Sequence, residues 1–194
     1  MKKFKLDKLR EECGIFGVSD HEDASALVAL GLHALQHRGQ EGCGISSFDE
    51  KTFHLEKRQG LVGDYFTDPA IIKKLPGRSA IGHNRYSTTG EVSLRNIQPF
   101  FADLYTGGVS LAHNGNLTNA VELRNNLVKE GAIFRTTSDT ETIVQLIAKS
   151  NRAKITDKII DALFQIQGAY ALVMITNKKL IGIRDPFGIR PLVI

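Results

Sequence analysis

The sequence predicts an α+β fold of antiparallel sheets layered with helices, and three observations carry that expectation. Short apolar runs bounded by turn residues come in adjacent pairs, as hairpins do, instead of alternating singly with helices as parallel βαβ units do. Segments with helical spacing of apolar residues are grouped between those pairs. The length of 194 residues, with 42% hydrophobic and 24% charged side chains, suits one domain or a little more, burying roughly 70% of its unfolded surface.

Gly14–Val18 is a short apolar run closed by Ser19-Asp20 and reads as a strand. Residues 24–35 place Leu27, Leu30 and Leu35 at helical spacing over alanine-rich filler, a helix that buries one face. Residues 44–48 and 52–56 read as a strand pair joined by Asp49-Glu50-Lys51. Residues 79–83 and 109–113 are further strands, each ending in a histidine, His83 or His113, before a polar loop. Asn116 or Thr118 is placed to cap a helix carrying Val121, Leu123, Leu127 and Val128 and stopping at Gly131. Ser138-Asp-Thr-Glu141 has capping-box spacing ahead of Ile143, Leu146 and Ile147, so another helix begins there. Residues 156–165 form a third helix of this half, and 169–176 with 179–184 form a hairpin through Asn177-Lys178. Asp185-Pro-Phe-Gly188 is a turn with proline second and glycine fourth. The run from Pro191 reads as a strand cut at the last residue, so the fold is expected to be truncated at its C-terminal end.

Composition excludes several function classes. No apolar run approaches the ~18 residues of a membrane span, and residues 1–12 lack the apolar core of a secretory signal. A soluble, cytoplasmic protein with no membrane partner is therefore expected. The net charge is +4, but residues 1–12 hold five basic and three acidic side chains, which is half of that excess. Lys73, Lys74 and Arg78 are scattered without interleaved aromatics, so a solvated surface is the better reading than a nucleic-acid site. Cys13 and Cys43, the two cysteines, belong to no CxxC pair and build neither a disulfide framework nor, with six scattered histidines, a structural zinc site.

Several residues admit both a structural and a chemical reading. Cys13, opening Cys-Gly-Ile-Phe-Gly, is either a small core residue or a nucleophile. A cut before it would put an α-amine of pKa roughly 7.7–8.0 beside the thiol, a base that needs no catalytic histidine. Cys43, between two glycines, reads as structural. The glycine-rich loop 36–44 is a connector, or places Arg38 to orient backbone near a site. Arg85 is a surface ion-pair residue or a bidentate carboxylate clamp. Asn114-Gly115 is a turn signal, or a side-chain amide and a backbone N–H aimed at one oxyanion. Asp139 complements a helix dipole or binds a substrate ammonium.

Taken together and in this order, these motifs resemble the class II, N-terminal-nucleophile glutamine amidotransferases. The match rests on Cys-Gly-Ile-Phe-Gly at 13–17, Gln-His-Arg-Gly-Gln at 36–40 and His-Asn-Arg-Tyr at 83–86. It continues in His-Asn-Gly-Asn-Leu at 113–117, Thr-Ser-Asp-Thr-Glu at 137–141 and Asp-Pro-x-Gly-x-Arg-Pro-Leu at 185–192. Within the family the chain resembles the branch that couples glutaminase to a phosphoribosyltransferase domain. The sister glucosamine-6-phosphate synthases favour a Tyr-Arg-Gly-Tyr loop and an Arg-Trp pair where this chain has His37-Arg-Gly-Gln40 and Arg85-Tyr86. Gln98-Pro99 and Asn-Leu-Thr-Asn at 116–119 also suit the phosphoribosyl branch.

The resemblance implies a four-layer αββα sandwich with Cys13 opening a central strand. It implies that Cys13 attacks the carboxamide of L-glutamine, with its own α-amine managing the protons. Asn114 and Gly115 form the oxyanion hole, Arg85 holds the α-carboxylate and Asp139 the α-amino group, while Thr88 and Arg38 line the pocket. Residues 1–12 resemble a propeptide ending in acidic residues, and 13–194 the glutaminase domain. With the Glu12–Cys13 bond intact, the amine is locked in a peptide and the site is expected to be inactive. No metal or cofactor is expected in this chain. Mg2+ and an iron–sulfur cluster belong, if anywhere, to the remainder of the full enzyme, as do the phosphoribosyltransferase domain and a homo-oligomeric assembly. The alternatives are the glutaminase of another class II enzyme and a catalytically silent domain.

Overall fold

The structure is a computed structural model that describes residues 12–86 and 93–194. Its strands form two antiparallel sheets. The first sheet runs in the order β1 (Gly14–Val18), β4 (Ser79–Arg85), β2 (Gly42–Phe48), β3 (Phe53–Gln59). The second runs β5 (Phe100–Leu104), β6 (Gly107–Leu117), β7 (Gly168–Thr176), β8 (Leu180–Arg184). Helix α1 (Ala24–Ala34), with the short α2 (Val62–Tyr65) and α3 (Pro69–Ile72), covers the outer face of the first sheet. Helices α4 (Ala120–Lys129), α5 (Asp139–Lys149) and α6 (Ile155–Leu163) cover the second.

Three apolar layers separate these four tiers. Val28 and Leu32 of α1 pack on Cys43 and Ile45 of β2. Phe48, Ile81, Ala112, Val173 and Ile175 fill the space between the sheets. Leu111, Leu172 and Met174 pack on Ile143, Ile147 and Ile159 of the second helical layer. Strand β7 shows why: its alternate residues serve two different cores, so both faces are buried and the sequence there is continuously apolar. The αββα sandwich is thus present, but the strand that Cys13 precedes, β1, lies at the edge of the first sheet and not at its centre.

The element boundaries correct the sequence reading where polar residues are involved. Neither histidine ends a strand: β4 continues through Asn84 and Arg85, and β6 continues through Asn114, Gly115 and Asn116 to Leu117. Asn114-Gly115 is therefore not a turn. It lies in register with Ala171 and Tyr170 of β7, and glycine is needed because φ is +148° and a Cβ would fall 2.1 Å from the Ala169 carbonyl oxygen. Asn116 and Thr118 do not cap α4; its N-cap is Asn119, whose side chain bonds Gln165 and Gln167 instead of the helix N-terminus. At α5 the capping box is half formed. Ser138 Oγ accepts from Thr140 N–H, while Glu141 turns outward to accept from the Arg135 and Thr136 N–H groups. Helix α1 buries Val28 and Leu32 instead of a leucine stripe, and Leu30 is 67% exposed.

Strand β5, unpredicted, is a five-residue edge strand interrupted by Asp103. Residues 191–194 are not a strand. Leu192 lies across the face of β8, where a Cβ on Gly182 would meet its Cδ2 at 3.4 Å, so no ladder forms at the β8 edge.

The chain leading into β5 crosses the first sheet in close contact with β2. A Cβ on Gly44 of β2 would fall 2.3 Å from the carbonyl oxygen of Gln98, so the crossing needs hydrogen at that position. Gly44→Ala is expected to cost about 1–3 kcal/mol in urea unfolding. A loss below about 0.5 kcal/mol, the scale of a neutral surface change, would show that the approach is not a constraint.

Candidate active site

Where the two sheets and α5 meet, a cleft of about 500 Å³ is lined by Cys13, His83, Arg85, Tyr86, Gln98, His113, Gly115, Asp139 and Arg190, among others. Cys13 stands directly before β1, and its backbone is held from both sides by Arg38. The Cys13 N–H donates to the Arg38 carbonyl at 2.9 Å, and Arg38 Nε donates to the Cys13 carbonyl at 2.7 Å. Its φ of 63° lies in the left-handed region, a conformation that costs a non-glycine residue about 1–3 kcal/mol and persists only when neighbours enforce it. The sulfur contacts the backbone of Tyr86, with Sγ 3.5 Å from N and 3.6 Å from O. Burial pushes the Cys13 thiol up, against the opposing pull of the Tyr86 N–H and Arg85.

Strand β6 supplies the second wall. It outruns its neighbour β5, whose last register pair is Phe100 with Leu111. Tyr170 of β7 turns its carbonyl to Asp185 N–H, so in this alternating ladder Gly115, opposite Tyr170, faces its N–H away from β7. Along that edge the His113 N–H donates to Gln98 Oε1 at 2.6 Å and the Leu117 N–H to Asp139 Oδ2 at 2.9 Å. Gly115 N–H lies between them and has no bond of this kind among the described residues, which leaves a backbone donor in the cleft wall. Asn114 is 3% exposed, shares the inter-sheet side of β6 with Ala112, and has an Oδ1 without a partner.

Charge in the cleft is of both signs. Arg85, at the end of β4, donates from Nη1 to the Asn96 carbonyl at 2.7 Å and lies 3.7 Å from Glu41. Asp139 opens α5, where the N-terminal dipole favours a carboxylate. A cation on one wall and a carboxylate on the other fit the two charged ends of an α-amino acid. Arg190 joins from the C-terminal loop, whose Phe187, Ile189 and Arg190 N–H groups converge on the buried Asp185 carboxylate.

Two described residues of the predicted site, Arg38 and Asn114, are not in the cleft lining. Arg38 does not line the cleft but holds the Cys13 backbone. Thr88 lies outside the described residues. Cys43 is fully buried on the helical side of β2, its thiol pushed up to about 12 by burial and Asp64. Sequence reasoning missed Tyr86, Asn96, Gln98, His83, His113 and Arg190 as cleft residues, although all but Asn96 lie in a motif it had singled out.

His83 is 1% exposed, and burial, then the nearby His113 and Arg85, pulls it down to about 3. It stays neutral in the native state but takes up a proton on unfolding below its ordinary value of about 6.5. Its contribution is therefore full above that pH and is lost as pH falls from there towards 3. Urea stability of the parent is expected to decline more steeply between pH 7 and 4 than that of His83→Gln. Parallel profiles would contradict a buried neutral histidine.

Comparison with known proteins gives the same picture. A family model described as "Glutamine amidotransferase domain" matches residues 83–194. The amidophosphoribosyltransferase of Rhizobium etli is 57% identical over 187 residues, covering 96% of this chain and 38% of the relative. A structure titled as the allosteric regulatory enzyme of purine biosynthesis superposes with a TM-score of 0.87 at 42% identity, covering 91% of this chain and 38% of that one. The Bacillus subtilis glutamine phosphoribosylpyrophosphate amidotransferase complexed with ADP and GMP superposes at 0.85 with 41% identity, again over 91% and 38%. The chain thus spans a little over a third of the length of these relatives, and, on its sequence and its αββα fold alike, it belongs to the glutamine amidotransferase domain family.

Proposed function

We propose that residues 13–194 form a glutaminase that hydrolyses L-glutamine through a thioester on Cys13 and delivers ammonia to a phosphoribosyltransferase partner domain. The observation that carries this reading is one cleft holding a thiol, an arginine, an aspartate and a backbone donor without a partner among the described residues. Arg85 takes the α-carboxylate and Asp139 Oδ1 the α-ammonium, which places the side-chain amide near Cys13.

A buried, raised thiol needs a base. His83 and His113 are both pulled down by burial and are poor ones. The α-amine of Cys13, released by cutting the Glu12–Cys13 bond, supplies it. That cut also removes the backbone strain, because φ of Cys13 is defined only while Glu12 is attached. Residues 1–12 are thus a propeptide in this reading. The amine accepts the thiol proton, the thiolate adds to the amide carbon, and the oxyanion forms against Gly115 N–H and the Asn114 amide. The ammonium returns its proton to the leaving nitrogen, ammonia departs, and water then cleaves the thioester to glutamate.

The downstream step is inferred from the names of the relatives. Ammonia would replace pyrophosphate on phosphoribosyl pyrophosphate, giving phosphoribosylamine for purine synthesis in a cytoplasmic homo-oligomer. Mg2+ or an iron–sulfur cluster would belong to that remainder. Two cysteines, one in the cleft and one in the core, do not fit a four-thiolate cluster.

Glutamate release from L-glutamine by the purified chain tests the proposal. Cys13→Ala is expected to fall to background and Cys43→Ala to keep most activity, with Asp139→Asn raising KM about 10-fold or more, the scale of a lost charge-assisted hydrogen bond. Equal loss in the two cysteine variants would overturn the nucleophile assignment.

A further inference from the structure

We propose that Gln98 and Thr140 are positioning residues: with His113 they form a buried hydrogen-bonded clamp that sets the first turn of α5, and so Asp139, against the Gly115 stretch of β6. The proposal rests on the glutaminase reading above for what Asp139 grips.

The clamp begins where β5 stops. Residue 99 is proline and offers no N–H, so the backbone ladder beside β6 ends at Phe100. The Gln98 side chain continues it, accepting the His113 N–H at Oε1 as a strand carbonyl would. This fixes the amide's orientation and turns Nε2 to Thr140 Oγ1, 3.0 Å away. Thr140 follows Asp139 in sequence, and its oxygen also lies 3.0 Å from His113 Nδ1. Because the Gln98 carbonyl oxygen sits where a Cβ of Gly44 would go, the same residue is braced on the first sheet. Gln98 therefore touches both sheets and the helical layer at one point, and all three clamp side chains are buried.

The proposed clamp also selects one tautomer of His113. Thr140 Oγ1 accepts from Gln98 and has one proton to give, with His113 Nδ1 at 3.0 Å and Asp139 Oδ1 at 3.5 Å. In the proposed clamp the Thr140 proton goes to the nearer His113 Nδ1, which puts the imidazole proton on Nε2, a buried atom with no partner among the described residues. Asp139 keeps Oδ2 on the Leu117 N–H, which leaves Oδ1 for a ligand.

The test uses the purified chain as Gln98→Leu, Thr140→Val and Thr140→Ser, with two readouts. The first is hydrolysis of L-glutamine relative to glutaramate, which has the same amide and carboxylate but no α-ammonium. Gln98→Leu and Thr140→Val are expected to lower the preference for glutamine at least about tenfold, through KM for glutamine, while Thr140→Ser keeps it. A defect of general stability would reduce both substrates alike, so an unchanged ratio overturns the proposal. The second readout is the 15N signature of His113, which needs no activity. An Nε2–H tautomer in the parent that is lost in Thr140→Val is the expected result, and a parent proton on Nδ1 overturns the clamp. A parent that hydrolyses neither substrate, or does not prefer glutamine, would instead contradict the active-site reading, with the 15N arm still deciding the clamp.

Discussion

Two hydrogen bonds between Arg38 and Cys13 determine where the thiol can be, and the rest of the cleft is arranged around that point. One holds the Cys13 nitrogen and the other its carbonyl, so the residue is pinned across its own Cα in a backbone conformation it would not adopt alone. Arg38 comes from the turn after α1, and α1 is seated on β2 and β4 by Val28 and Leu32. The outer helical layer is thereby coupled to the position of a single sulfur. In the proposed mature enzyme, the same Arg38 carbonyl would receive the freed α-amine, keeping the base beside the thiol it serves.

The opposite wall depends on a strand that outruns its neighbour. Because β5 ends at Phe100, the edge of β6 from His113 to Leu117 is left with donors that need partners. Gln98 and Asp139 take two of them, and the Gly115 N–H between them, without a partner among the described residues, is the donor proposed for the oxyanion. The proposed binding groups are thus what an unfinished sheet edge leaves over, rather than additions to a finished scaffold.

The fold was largely legible because its cores are apolar and periodic. Ala171–Ile175 and the Ile143, Leu146, Ile147 face of α5 give unambiguous patterns, and both elements are where those patterns placed them. Legibility failed where strands carry chemistry. Arg85, Asn114 and Gly115 are strand residues with the composition of loops, since a cleft at a sheet edge needs polar groups that burial alone would not select. The motifs located Cys13, Arg85, Gly115 and Asp139 around one cleft without a structure. They could not show that Arg38 works through the Cys13 backbone, or that Gln98 and Thr140 meet, because those pairings span 25 and 42 residues of chain. Leu30 misled for a related reason: helical spacing gives a stripe, but small residues facing β4 decide which stripe is buried.

The central claim, that Cys13 becomes an N-terminal nucleophile for a glutamine amide, is tested most directly by intact mass with and without a diazo-ketone analogue of glutamine. The account predicts loss of residues 1–12 and a single covalent adduct that peptide mapping places on Cys13. An adduct on Cys43, or an adduct on Cys13 while Glu12 is still attached, would contradict it.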